Sequence, residues 1–154
     1  MRLTADEIAQ LLPHSGNMCL LEGVLQWDRE RISCVGRDHR DPGNPLRVGG
    51  RFHATSAIEY AAQAMAAHGG LTGRTAGRPR AGYLVSLREV TCRQLFLDDV
   101  EGEVTVEAEH MLEDSGHALY RFSVRVGTAE VVTGRALVIL DGGTQRSPSG
   151  SPGR

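Results

Sequence analysis

Residues 52–71 read Phe52-His53-Ala54-Thr55-Ser56-Ala57-Ile58-Glu59-Tyr60-Ala61-Ala62-Gln63-Ala64-Met65-Ala66-Ala67-His68-Gly69-Gly70-Leu71, and this segment decides the fold. Alanine, the strongest helix former, recurs through it, so the segment predicts one long helix from Ser56 to His68 that Gly69 and Gly70 close. Ser56 is a favourable N-cap residue, and Glu59 three residues later completes a capping box. Because nearly every position is small or apolar, the helix must be covered on all sides.

Two polar residues interrupt the apolar character of this helix in its first turns. Glu59 and Gln63 stand four residues apart and therefore share one face. A carboxylate and an amide on one line of a buried helix are costly unless they have a partner or a function. The pair is the first candidate for a functional site.

Strand patterns surround the helix. A short amphipathic helix is predicted over Thr4–Leu12, with Thr4 and Glu7 as its capping box, and a hairpin follows. The predicted strands are residues 18–27 and 31–37 before the central helix, and 82–93, 103–112, 118–126 and 131–140 after it, as a meander of about four strands. A single antiparallel sheet can cover such a helix only by curving around it. The pattern therefore predicts an α+β hot-dog fold, in which a long central helix is wrapped by a curved antiparallel sheet.

The domain limits follow from composition. Residues 1–140 form one predicted domain, and residues 141–154 are rich in Gly, Ser and Pro and are expected to be disordered. One curved sheet leaves an exposed edge, which favours a dimer joined through that edge.

Charge and composition exclude several classes of protein. The formal net charge of −2 gives no support for nucleic-acid binding, and the absence of lysine excludes a Schiff-base mechanism. Cys19, Cys34 and Cys92 have no metal-type spacing, so we expect buried free thiols and no metal site. No apolar run reaches the length of a membrane span and no secretory signal is present, so we expect a soluble, cytoplasmic protein that does not bind a membrane.

Three short motifs resemble one enzyme family. They are Leu11-Leu12-Pro13-His14, Met18-Cys19-Leu20-Leu21-Glu22-Gly23-Val24-Leu25 and Ile58-Glu59-Tyr60-Ala61-Ala62-Gln63. In order and spacing they are similar to the beta-hydroxyacyl-acyl-carrier-protein dehydratases, and most of all to the dehydratase-like proteins of aryl-polyene gene clusters. The resemblance covers residues 3–140. It implies a hot-dog fold and loss of water from a 3-hydroxyacyl thioester in fatty-acid or polyene-type biosynthesis.

The resemblance also implies partners. The substrate would be carried on the phosphopantetheine of an acyl carrier protein or of coenzyme A, and no further cofactor is implied. The chain would form a homodimer, or a heterodimer with a hot-dog homologue, with each active site at the interface. Arg74, Arg78 and Arg80 could meet an acidic carrier protein, although the alternative is an ordinary solvated loop.

One family motif is absent. The segment Gly49-Gly50-Arg51-Phe52-His53 replaces the glycine-histidine-phenylalanine-proline motif, and Pro45 stands at the spacing of the family's catalytic histidine. His53 is then the nearest residue that could serve as a base. The resemblance places His14 outside the reaction centre.

Dehydration requires a base at the alpha carbon, an acid for the departing hydroxyl, and donors for the thioester oxygen. Glu59 is the predicted acid and His53 the predicted base. Gln63 would orient Glu59 or bind substrate, and the start of the helix at Ser56 and Ala57 would offer free main-chain amides to the substrate. The structural alternatives are that Glu59 only caps Ser56 and that His53 is an ordinary surface residue.

Three functions remain open from the residues. The first is a dehydratase that uses Glu59 and His53. The second is a non-catalytic subunit that pairs with an active dehydratase homologue and supplies Glu59 to it. The third is a hot-dog acyl thioesterase, in which Glu59 acts on the thioester itself as nucleophile or base.

Overall fold

The computed structural model describes residues 3–10, 18–73 and 83–139. Its helices and strands are β1 (Leu3–Thr4), α1 (Ala5–Ala9), β2 (Leu21–Trp27), β3 (Arg31–Gly36), α2 (Ile58–Leu71), β4 (Tyr83–Cys92), β5 (Val104–Asp114), β6 (His117–Val126) and β7 (Ala129–Ile139), with a 3-10 turn at Ala54–Ala57 before α2. The predictions for His14, for Arg74, Arg78 and Arg80, and for the tail 141–154 lie outside the described residues.

All strands in the described part of the chain belong to one seven-stranded sheet in the order β1-β2-β3-β5-β6-β7-β4. Every pair is antiparallel. The hairpin β2–β3 is confirmed, but the simple meander after the helix is wrong in one respect. Only β5, β6 and β7 follow one another, whereas β4 pairs with β7 and forms an outer strand of the described sheet.

The sheet encloses α2. The helix packs on β2, β3, β5 and β6. Its buried residues are Tyr60, Ala61, Gln63, Ala64, Met65, Ala66, Ala67, His68 and Gly69. The hot-dog fold is therefore confirmed, and its core lies between α2 and the inner face of the sheet. Within this single chain, Ile58, Glu59 and Ala62 remain only half-buried, so the first turns of α2 are partly open.

Both predicted ends of the central helix are wrong. Ser56 lies inside the 3-10 turn, where its N–H donates to the His53 carbonyl at 3.0 Å, and Ala57 becomes the N-cap of α2 without a side-chain hydrogen bond. Gly69 and Gly70 continue the helix, which ends at Leu71. The predicted capping box at Ser56 and Glu59 is thus absent. By contrast, the capping box of α1 is confirmed, since Thr4 and Glu7 each bond the main chain of the other.

A bulge in β5 changes which side chains face the core. Val104, Val106 and Ala108 are buried as their alternation predicts. The pairing with β6 shifts between His110 and Leu112, and Leu112 is 61% exposed. An extra residue in one strand reverses the inside-outside alternation beyond it.

The three cysteines are free thiols with different surroundings. Cys34 is buried, as predicted, and burial raises its pKa to about 12. Cys19 and Cys92 are only half-buried. The described residues contain no cluster of three or more His, Cys, Asp or Glu side chains placed to hold a metal ion. None of the helices in residues 3–10, 18–73 and 83–139 combines the length and apolar character that a membrane span requires.

Candidate functional site

Glu59 lies in the first turn of α2, and its carboxylate has no partner among the described residues. The residue is half-buried, and it forms no hydrogen bond or ion pair with any residue that the structure describes. The alternative that Glu59 only caps Ser56 is therefore not supported by the geometry. A carboxyl group at a partly open helix start is free to exchange a proton with a bound molecule.

His53 lies directly before the 3-10 turn. Its main chain forms an isolated antiparallel bridge with Phe96, and the centroids of the two rings are 4.8 Å apart. Neither ring nitrogen of His53 bonds a described residue. The side chain is half-buried and not simply a surface group. Because the turn Ala54–Ala57 joins His53 to α2, the free imidazole and the free carboxylate of Glu59 lie at the same end of the helix.

Gln63 is placed differently from the prediction. It is 1% exposed, and its Oε1 accepts the Leu20 N–H at 2.8 Å while its Nε2 donates to the Met18 carbonyl at 2.9 Å. Both halves of the amide are thus used by the main chain that enters β2. In this arrangement Gln63 holds residues 18–20 against α2, and its amide forms no hydrogen bond with Glu59.

Most main-chain N–H groups at the start of the helix are also hydrogen-bonded or buried. The Ser56 N–H bonds His53, and Ala57 is 2% exposed inside the turn. The Thr55 N–H has no hydrogen-bond partner among the described residues, and Thr55 is exposed. Thr55 is therefore a better candidate than Ser56 or Ala57 for a donor to a thioester oxygen. No sequence pattern distinguishes it, because the 3-10 turn that frees it was not predicted.

A polar network that the sequence does not reveal holds the main chain beside His53. Asp98 Oδ2 accepts the Phe52 N–H at 3.0 Å, and Asp98 Oδ1 accepts from Arg47 at 3.0 Å. The hydrogen bond from Phe52, followed by the contact with Arg47, lowers the pKa of Asp98. Asp98 is 46 residues from Phe52 in the sequence, so no local spacing indicates the contact.

Tyr60 fixes the loop 37–51 to the helix from the other side. Its buried hydroxyl donates to the Arg37 carbonyl and accepts from Asn44 Nδ2, which lies 2.9 Å away. Asn44 also donates to the Asp38 carbonyl at 3.0 Å and accepts the Leu46 N–H at 3.0 Å. Burial, opposed in part by the hydrogen bond from Asn44, raises the pKa of the phenol to about 12.

Replacing Tyr60 with phenylalanine is expected to lower the free energy of unfolding by about 2 kcal/mol at neutral pH, because Arg37 and Asn44 lose a buried partner. The fold favours the protonated phenol, so its contribution is present below pH 10.0 and is lost as the pH rises towards about 12. Urea unfolding across this window measures both effects. A parallel loss of stability in the two proteins above pH 10.0 would contradict the assignment.

His68, near the C-terminal end of α2, links the helix to two other parts of the chain. It is fully buried, and its Nε2 lies 2.8 Å from the Asp28 carbonyl oxygen, which can only accept a hydrogen bond. Its Nδ1 lies 2.7 Å from the Tyr120 hydroxyl. The imidazole therefore links α2 to the β2–β3 turn and to β6, on the inner side of the sheet.

Comparison with known proteins identifies similar sequences and structures. Residues 6–144 match the sequence model of the ApeP-like family, described as ApeP dehydratase. A search of curated proteins found no significant match.

Solved structures share the fold. The dehydratase heterocomplex ApeI:P from Xenorhabdus doucetiae matches with a TM-score of 0.76 at 23% identity, over 92% of this chain and 93% of that one. Zebrafish thioesterase superfamily member 2 matches with a TM-score of 0.62 at 15% identity, over 90% of this chain and 99% of that one. The E. coli PaaI protein matches with a TM-score of 0.55 at 10% identity, over 75% of this chain and 80% of that one. At these identities the structures establish the hot-dog fold.

Proposed function

This chain belongs to the ApeP-like dehydratase family, and on that basis we propose that it removes water from a 3-hydroxyacyl thioester as a subunit of a dimeric dehydratase. The observation that carries the proposal is that the Glu59 carboxylate, at the partly open start of α2, has no partner among the described residues. The free imidazole of His53 lies at the same end of the helix.

The chemistry follows from these two groups. His53 takes the proton from the alpha carbon, and the electron pair of that C–H bond forms the new double bond. The bond between the beta carbon and its hydroxyl breaks, and Glu59, in its protonated form, gives its proton to the departing oxygen, which leaves as water. The Thr55 N–H would stabilise the negative charge that develops on the thioester oxygen.

The exposed sheet edge supports a dimer. Among the described strands, β4 pairs on one side only, with β7, and Leu87 on β4 is 37% exposed. The 3-10 turn before α2 contacts β7, the neighbour of β4, so the site lies close to this edge. A second hot-dog subunit paired along β4 would cover both the open edge and the first turns of α2.

We propose that the second subunit is either a copy of this chain, so that His53 serves as the base, or a hot-dog homologue. The related Xenorhabdus doucetiae structure is described as a heterocomplex, and this chain has Pro45 at the spacing of the usual family histidine. In the heterodimer the homologue would provide the missing histidine as the base in place of His53, while this chain would provide Glu59.

The substrate carrier is proposed from the family chemistry. The acyl group would arrive on the phosphopantetheine of an acyl carrier protein or of coenzyme A, with no other cofactor. Arg74, Arg78 and Arg80 remain the proposed contacts for an acidic carrier protein.

One assay separates the possible functions. The purified chain, alone and mixed with a dehydratase homologue, is incubated with a 3-hydroxyacyl thioester, and both the enoyl product and free thiol are measured. Enoyl product from the chain alone supports the homodimer, and product only from the mixture supports the heterodimer. Release of free thiol would instead favour the thioesterase. No reaction in either sample would overturn the proposal.

A further inference from the structure

The main chain on both sides of His53 is tied to residues 95–98. Asp98 Oδ2 accepts the Phe52 N–H at 3.0 Å. The Phe52 carbonyl accepts from Leu97 at 2.9 Å, and the Ala54 N–H donates to Leu95 at 2.9 Å. Three hydrogen bonds therefore define the backbone position of His53, and Asp98 is the only side chain among their partners.

The other carboxylate oxygen of Asp98 is held by Arg47. Arg47 donates to Asp98 Oδ1 at 3.0 Å and to the His39 carbonyl at 2.8 Å, and it also bonds the Gly50 carbonyl. The side chains of Arg47 and Asp98 are only 15% and 22% exposed. Hydrogen bonds between charged groups that are largely shielded from water are the stronger ones. The pair thus links the loop before His53 to the segment that follows β4.

We propose that Asp98, supported by Arg47, is a positioning residue that sets His53 in its reactive geometry. A carboxylate is suited to hold the main chain beside His53, because it can accept from a main-chain N–H and from a guanidinium at once. The inference rests on the proposed function of His53. It goes beyond that function by assigning a role to a residue that does not touch the substrate.

The expected consequence is kinetic. A proton transfer requires donor and acceptor within hydrogen-bond reach, and small displacements of a catalytic group lower the rate steeply. Loss of the Asp98 contact should therefore lower kcat more than it raises KM. It should also change the surroundings of the His53 imidazole even when no substrate is present.

The test compares two matched variants of the full chain, in the dimeric state that shows activity. Asp98→Asn keeps the shape of the side chain and still accepts from Phe52, but it presents an amide where Arg47 needs an acceptor. Asp41→Asn is the control, because Asp41 also accepts a main-chain N–H, from Gly43 at 3.0 Å, and contacts an arginine, Arg37, at 3.4 Å. Asp41 lies in the same loop as Arg47 but forms no hydrogen bond with residues 52–54.

We expect Asp98→Asn to lower kcat about tenfold with KM changed less than about twofold, and to shift the His53 imidazole NMR resonance. The resonance is assigned by its absence in His53→Ala. In the His53→Ala background, Asp98→Asn should cause no further loss of turnover, because Asp98 acts through His53. Asp41→Asn should leave kcat and the resonance unchanged.

Two results would overturn the inference. One is a folded Asp98→Asn protein with the wild-type His53 resonance. The other is a kcat loss that adds fully to that of His53→Ala. If the protein shows no dehydratase activity at all, the proposed function fails, but the His53 resonance still tests whether Asp98 positions His53. Failure of the function and failure of the Asp98 role can therefore be told apart.

Discussion

Replacing Glu59 with glutamine is expected to lower turnover by about a hundredfold or more while the protein remains folded. The amide has nearly the size and shape of the carboxyl group but lacks the exchangeable acid proton that the departing hydroxyl requires. Because the Glu59 carboxylate has no partner among the described residues, the change removes no stabilising contact. The free energy of unfolding should therefore change by less than about 0.5 kcal/mol. Steady-state kinetics and urea unfolding measure the two effects.

The matched control is Glu107→Gln, an equivalent change at an exposed position on the outer face of β5. It should leave turnover unchanged. Full activity of Glu59→Gln would remove Glu59 from the mechanism. If the free energy of unfolding also fell by about 1 kcal/mol, the result would indicate that Glu59 caps the helix.

His53→Ala is the companion to this variant. Unchanged turnover would show that the base comes from the partner chain, as a heterodimer with a standard family histidine requires. A loss comparable to that of Glu59→Gln would place both groups in one active centre. A Phe96→Leu control separates the loss of the imidazole from the loss of its packing, because the two rings are in contact.

Gln63→Leu is expected to lower the free energy of unfolding by about 2–4 kcal/mol. The substitution leaves the Leu20 N–H without an acceptor and the Met18 carbonyl without its donor, and Leu20 is fully buried. A buried polar group without a partner retains its full desolvation penalty. Urea unfolding measures the loss, and Gln26→Leu, at an exposed position of β2, is the matched control with an expected change within about 0.5 kcal/mol.

The same variant decides between two roles for Gln63. If the amide holds residues 18–20, Gln63→Leu loses stability, and Gln63→Glu loses stability as well, because a buried carboxylate has no donor for the Met18 carbonyl. If the amide bound substrate, Gln63→Leu would keep its stability and raise KM. A stable Gln63→Leu protein with raised KM would therefore contradict the structural assignment.

The parts of the structure that depend on local pattern could be predicted. The long apolar helix follows from its alanine content, and the burial of Tyr120, Phe122 and Val124 follows from the alternation along β6. In both cases the spacing of apolar residues along the chain determines which side of an element is covered. Glu59 could be singled out for the same reason, as the one acid within the apolar helix.

The candidate site could be predicted only in part. The sequence placed Glu59 and His53 near one helix end, because they are close along the chain. It did not indicate that Gln63 is bonded to Leu20, 43 residues away, or that Asp98 holds the main chain beside His53. It also placed a cap at Ser56, where the 3-10 turn uses the Ser56 N–H and leaves that of Thr55 free.

The sequence by itself determined the elements, the apolar faces and the helix that carries Glu59, because these depend on residues within a few positions of one another. Only the tertiary structure decided that β4 pairs with β7, that a bulge exposes Leu112, and that the Gln63 amide is occupied by the main chain. The reason is physical. A hydrogen-bonding group takes the partner that the path of the chain brings within about 3 Å, and local propensity contains no information about that path.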